Sequence, residues 1–357
     1  MEKANRHESG CSGSRIPIYC IVPPHILKEI AQRGTADQKA WAFRTLTVSE
    51  QARGQRQAVG LIAALTATAT GTKRRTIYDA QQGSSLPGKM VRIEGGAKSK
   101  DRAVNEAYDG AGATYDLYLK VYQRNSIDDR GMRLDSTIHY GRNYDNAFWN
   151  GQQMVYGDGD GKLFNRFTIS IDVIGHELTH GVTQYEAGLD YQDQAGALNE
   201  SFSDIFGSLV KQYKKKQLAK NADWLIGKGL LAPGVKGKAL RSMKEPGTAY
   251  DDPILGKDPQ PGDMKDYIKT QDDNGGVHLN SGIPNRAFYE TAMQIGGRAW
   301  EKAGQIWYVT LRDKLRPTAQ FKDAAKATVA VAKELYGNGS LEMKAVKQGW
   351  ASVGIKT

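Results

Sequence analysis

The stretch "VIGHELTHGV", residues 173–182, sets two histidines four positions apart with a glutamate directly after the first. On an α-helix, positions i and i+4 lie one above the other, so His176 and His180 aim both imidazoles at one point and form a two-pronged clamp for a metal ion. A catalytic zinc takes a third protein ligand and keeps an open position for water. Glu177 is turned off the histidine axis, too far round to join the pair as a ligand. It is near enough to accept a proton from the water that such a metal activates, which is the position of a general base.

The third ligand must come from another element. "GALNESFSDIFGSLV", residues 196–210, repeats apolar Leu198, Phe202, Ile205, Phe206 and Leu209 at helical spacing and predicts a second helix. On its other face Glu200 and Asp204 are again i and i+4, so one carboxylate can reach the metal while the other sits a turn further along. Metal-binding histidines pass their second ring N–H to a carboxylate or carbonyl, which fixes the tautomer, and Asp204 suits that role toward His176. A Glu and an Asp on a helix are ordinarily a solvated face. Their place inside an apolar segment just after the histidine helix argues for the metal site.

Five stretches then carry a resemblance: "NAFWNGQQMVYGDGDG" (146–161), "HELTH" (176–180), "GLDYQDQAGALNESFSD" (188–204), "LRSM" (240–243) and "DDNGGVHLNSGIPNRAFY" (272–289). From about Thr76 to the C-terminus the chain resembles the thermolysin-type neutral metalloendopeptidases, or gluzincins. The resemblance implies His176, His180 and Glu200 as ligands of one catalytic zinc, with Glu177 as the base. It implies Tyr191 and His278 as donors to the oxyanion of the tetrahedral adduct, Asp273 as the carboxylate that orients His278, and Arg241 as the group that holds a substrate carbonyl. Asn146 and Ala147 match edge-strand residues that bind peptide main chain by strand addition. Phe164, Phe167, Val173, Ile226 and Leu240 match the pocket for the residue after the cleaved bond. All five are apolar, and burying a Leu or Phe side chain among them is worth roughly 1.5–3 kcal/mol, enough to favour bulky hydrophobic residues by about tenfold.

The chain departs from that family where the thermolysin pattern builds a double calcium site. Asp172 and Asp223 remain, but the other matching positions hold Lys211, Leu225 and Lys228. Calcium wants six to eight oxygens, and two ammonium groups would repel it, so the double site is expected to be degraded. The lysines either pair with the remaining acids or point to water.

Composition bounds the rest. A chain of 357 residues is ample for a multi-lobed core, and no stretch approaches the ~20 apolar residues of a membrane span. Net charge +10 raises nucleic acid as a partner. The densest run, "KQYKKKQLAK" (211–220), has no interleaved nucleic-acid motif and reads as a solvated helix end. The resemblance implies polypeptides as the partners, and a monomer is the expected state. Both cysteines, Cys11 and Cys20, lie in the first twenty residues, which excludes a disulfide framework in the catalytic region. The N-terminus has no apolar signal core, so a secreted protein would leave a cytoplasmic precursor state by a non-classical route.

Residues 16–50 read as an extended arm followed by two short helices broken at Gly34, too few to hold a core alone and therefore packed on the catalytic body. "PPHIL" resembles the compact propeptide of protealysin-type members of the family, and the resemblance implies a zymogen with these expected parts: 1–55 propeptide, acting as an intramolecular inhibitor, 56–75 maturation linker, 76–190 N-terminal lobe with the HELTH helix, 191–357 C-terminal lobe. "YCIVPPHIL" is expected to add to the edge strand near Asn146 with Ile26 or Leu27 in the hydrophobic pocket, its prolines resisting cleavage; capping of the metal by Cys20 or His25, and a segment that only assists folding, are the competing readings. For the body, a helix is predicted over 114–131 and antiparallel strands around 76–95 and 132–168. The expected fold is α+β, a strand-rich N-terminal lobe and a helical C-terminal lobe with the HELTH helix between them at the cleft floor. The alternative function is a non-catalytic peptide-binding protein on the same fold.

Overall fold

The computed structural model describes residues 19–55 and 71–357. Most of the expected maturation linker, and the first part of the expected propeptide with Cys11, lie outside the described residues.

The arm is a two-residue strand, β1 (Tyr19–Cys20), followed by helices α1 (Pro24–Arg33) and α2 (Ala36–Gln55). Pro24 suits the first helical position because its missing N–H would find no partner there. Ile26, Leu27 and Ile30 recur on one face of α1 and are buried. The two helices thus rest on the body rather than forming a core of their own.

The N-terminal lobe is built on a six-stranded sheet in the order β1-β5-β6-β4-β2-β3. Its strands are β2 (Arg75–Asp79), β3 (Lys89–Ile93), β4 (Leu134–Ile138), β5 (Ala147–Trp149) and β6 (Gln153–Tyr156) besides β1. The expectation of antiparallel strands holds only in part, because β2–β4 and β4–β6 are parallel. Parallel neighbours need a long connection, and the stretch from β2 through β3 and helix α3 (Arg102–Tyr122) supplies it for β4. Helix α3 itself starts twelve residues before the predicted Thr114, capped by Asp101, and stops at Gln123 in the left-handed region. Beyond it "NSIDDRG" turns instead of continuing as helix, since Asp128 and Asp129 side chains accept from the backbone N–H groups of Arg130, Met132 and Asn125.

The HELTH segment lies on α4 (Ile171–Tyr185), and the acidic pair on α5 (Asp193–Lys215). The two helices approach closely because glycines face each other: a Cβ on Gly175 would stand 3.0 Å from the Gly207 backbone, and one on Gly207 would stand 2.4 Å from the Asp172 carbonyl. Beyond α5 the chain is mainly helical, with a short ribbon of β7 (Leu225–Ile226) and β8 (Arg241–Ser242), then α6 (Asp273–Asn280) and α7 (Gly282–Ile295), and three further helices. One continuous apolar cluster runs from α3 and the sheet through α4 and α5 into the C-terminal helices, which makes the two lobes a single packed body.

Candidate active site

On α4, His176, Glu177 and His180 are all fully buried. His176 and His180 face each other through their Nε2 atoms at 3.0 Å, and Glu200 of α5 brings its carboxylate oxygens to 3.5 and 3.4 Å from them. The other nitrogens are engaged: His176 Nδ1 meets Asp204 Oδ1 at 2.8 Å, and His180 Nδ1 meets Asn199 Oδ1 at 2.8 Å and Ser203 Oγ at 2.9 Å. A carboxylate and an amide oxygen are acceptors, so each Nδ1 carries the proton and both Nε2 lone pairs point into the same small volume. Two lone pairs and a carboxylate oxygen, Glu200 Oε2, that finds no hydrogen-bond partner are a poor fit for one another and a good fit for a cation. His176, His180 and Glu200 form the one group of potential metal ligands gathered this way among the described residues.

Asp204 is the hub behind that clamp. Burial pushes its carboxyl upward, but Arg241 and His176 outweigh it and hold the group well below the usual carboxylate range. Arg241 gives it two N–H bonds of 2.8 Å, and Asn285 Nδ2 adds a third donor at 2.9 Å. Glu177 Oε2 accepts the backbone N–H of Trp149 at 3.0 Å, which fixes the carboxylate beneath the edge strand β5.

Opposite the clamp, Tyr191 donates to Glu200 Oε1 and lies 3.2 Å from His278 Nε2. Burial raises the Tyr191 hydroxyl well above its ordinary value, so it remains a proton-bearing donor. Asp273 pins His278 by accepting from Nδ1 at 2.7 Å and from the backbone N–H at 2.9 Å. That geometry needs Asp273, Asn274, Gly275 and Gly276 all in the left-handed region, which Asn and Gly tolerate best.

The arm enters this cleft. β1 pairs antiparallel with β5, Cys20 opposite Phe148. The Cys20 carbonyl is 3.1 Å from His278 Nε2, the Ile21 N–H donates to the Ala147 carbonyl at 3.2 Å, and the Ile21 carbonyl accepts from Arg241 at 3.0 Å. Val22 N–H donates to Asn146 Oδ1 at 3.0 Å. Ile21 is fully buried in the same apolar cluster as Phe164, Phe167, Val173, Ile226 and Leu240. Strand addition near Asn146 is therefore present, but the residue beside Ala147 and Arg241 is Ile21. Ile26 and Leu27 belong to α1, because the chain turns into a helix at Pro24. The gathered ligand group holds His176, His180 and Glu200, without Cys20 or His25: Cys20 packs with Tyr140, Tyr144, Phe148 and Val155, and His25 Nε2 pairs with the Tyr250 hydroxyl at 3.0 Å.

Of the lysines in the expected calcium region, Lys211 is buried and bridges Asp172 at 2.8 Å, Asp223 at 2.7 Å and the Leu225 carbonyl. Lys228 is exposed, 3.6 Å from Asp223. The run 211–220 is thus not a uniformly solvated end. Sequence reasoning missed Asn199 and Ser203 as partners of His180, although they are i and i+4 beside the Glu200 and Asp204 pair; it also missed Asn285, for which no local signal exists.

Two lobes packed around a helix carrying His176, Glu177 and His180, with a carboxylate from the following helix as the third potential ligand and an oriented imidazole across the cleft, define a metallopeptidase. The described residues include no helix long and apolar enough to cross a membrane. Residues 56–184 match the family model described as thermolysin metallopeptidase, catalytic domain, and residues 187–355 the one described as thermolysin metallopeptidase, alpha-helical domain. An extracellular metalloprotease of Pectobacterium carotovorum subsp. carotovorum is 52% identical over 95% of this chain and 97% of its own. A thermolysin of Alicyclobacillus acidocaldarius subsp. acidocaldarius is 45% identical over 78% of this chain and 50% of its own. Among solved structures, the precursor of protealysin, a metalloproteinase from Serratia proteamaculans, superposes with a TM-score of 0.87 at 55% identity, covering 94% of this chain and 99% of that one. The chain belongs to the thermolysin family and is a zinc metalloendopeptidase of the protealysin type.

Proposed function

We propose that this enzyme cleaves peptide bonds ahead of bulky hydrophobic residues and is made as a zymogen silenced by residues 1–55, with the maturation cut in 56–75 and the catalytic lobes at 76–190 and 191–357. One observation supports it above others: the backbone of residues 20–22 uses the hydrogen-bonding groups of His278, Ala147, Arg241 and Asn146 that an incoming peptide would need. Propeptide and substrate compete for the same edge strand.

His176, His180 and Glu200 would hold zinc, which when bound supplies a Lewis acid and a water acidified toward neutrality. Glu177 takes the proton from the attacking water and delivers it to the leaving amine. His278 and Tyr191 donate hydrogen bonds to the oxyanion, with Asp273 holding His278 in place. Arg241, Asn146 and Ala147 fix the peptide beyond the cleaved bond, and Phe164, Phe167, Val173, Ile226 and Leu240 line the pocket for the residue that follows it. Lys211 takes the place of a cation between Asp172 and Asp223, so no double calcium site is needed. Relatives named extracellular proteases support secretion, and polypeptides are the substrates.

Glu177→Gln should bind about one zinc per chain yet lose peptidase activity by at least about a hundredfold; activity within tenfold of wild type rules out this base. Ile21→Asp should render the uncleaved chain active. Release by Cys20→Ser or His25→Ala alone would instead point to capping of the metal.

A further inference from the structure

In the cleft, the strand β1 lies antiparallel to β5, and the peptide bond that follows it faces His278. The Cys20 carbonyl is the one presented to His278, whose Nε2 is also 3.6 Å from the ligand Glu200. Ile21, directly after it, has its N–H on Ala147, its carbonyl on Arg241 and its side chain in the apolar cluster. The Cys20–Ile21 peptide thus meets His278, Ala147 and Arg241, and Val22 meets Asn146, four of the partners assigned above to a substrate. The prolines do not protect this bond: Pro23 and Pro24 lie beyond Val22, and Ile21 keeps the N–H that the edge strand reads.

Resting on the zymogen reading, we infer that the enzyme cuts its own Cys20–Ile21 bond within one molecule, and that this cut does not activate it. Water adds to the Cys20 carbonyl carbon, the carbon–nitrogen bond breaks, Cys20 gains a carboxylate, and the proton carried by Glu177 ends on the Ile21 amine. The two products are held unequally. Among the described residues the acyl side is anchored by the two-residue β1, whereas the amine side continues into α1, where Ile26, Leu27 and Ile30 are buried. A leaving amine that cannot diffuse away stays poised to rejoin, so the cut is slow. After residues 1–20 depart, Ile21 and Val22 still occupy Ala147, Arg241 and Asn146, and the cleft remains blocked until the linker is severed.

The zinc-loaded full chain and its Glu177→Gln variant are incubated at two protein concentrations tenfold apart, and intact mass and N-terminal sequence are followed beside hydrolysis of a Leu-containing peptide. The expected result is a chain beginning at Ile21, formed at a rate unchanged by dilution, absent from Glu177→Gln, and with no rise in peptide hydrolysis until the linker is cut. An unbroken Cys20–Ile21 bond in a preparation whose mature form hydrolyses the peptide overturns the inference and leaves the protease reading intact. Dilution-dependent cutting, or an Ile21 chain as active as the mature enzyme, also overturns it. Full activity of the uncut chain would sink the zymogen reading instead.

Discussion

Asp204 and Arg241 form a buried two-bond pair that joins the metal clamp to the groups gripping peptide main chain, since the same carboxylate holds His176 and the same guanidinium holds the Ile21 carbonyl. Asp204→Asn keeps the shape and removes the charge. Zinc affinity is expected to fall about 10–100-fold, as loss of a ligand-orienting group does. Leaving Arg241 buried and unpaired should cost roughly 3–5 kcal/mol. Chelator competition and thermal melting measure the two effects, and a variant unchanged in both would remove Asp204 from this role.

Lys211 supports stability in another way. Burial pushes its ammonium down, but Asp172 and Asp223 outweigh that and raise it, so it stays charged. Lys211→Ala strands fully buried Asp172 and should cost about 3–5 kcal/mol. Wild-type melting should be indifferent to millimolar calcium with zinc held constant. A large calcium-dependent rise in melting temperature would show that an ion, not the lysine, does this work.

Substrate choice should follow the buried pocket. Peptides with Leu or Phe after the scissile bond are expected to exceed their Gly counterparts by about tenfold or more in kcat/KM. Ile226→Asp should abolish that preference, because a carboxylate beside the substrate side chain must be desolvated. Equal rates across the series would contradict the pocket assignment.

Propeptide docking should weaken in acid. Burial drives His25 down to about 4, Asp273 opposes this, and His278, Arg241 and Lys28 add to it. A released propeptide would return His25 to its ordinary 6.5, so the released state binds more protons between about 4 and 6.5. Docking stability is therefore full above that window, declines as pH falls through it, and levels off below about 4. Amide exchange of α1 in a Glu177→Gln background reads this out, and His25→Leu should flatten the profile. An unchanged profile would exclude His25 as the titrating group.

The sequence by itself determined whatever depends on spacing along one element. The 3.6-residue period puts His176 above His180 and Glu200 above Asp204, so the convergence of the two imidazoles and the shared face of the two carboxylates were legible before any fold was known. The α1–Gly34–α2 order of the arm was legible for the same reason. Tertiary structure decided what depends on which elements meet. Gly175 against Gly207 sets the helix separation that brings Glu200 within reach of both imidazoles, and Asn285 reaches Asp204 across 81 positions of chain. Lys211 is buried because its acids come from two other segments, although its run of lysines looked solvated. Ile21 occupies the cleft instead of Ile26 or Leu27, since register is set by pairing with β5 and by the turn into α1 at Pro24, and neither is encoded in apolar pattern alone.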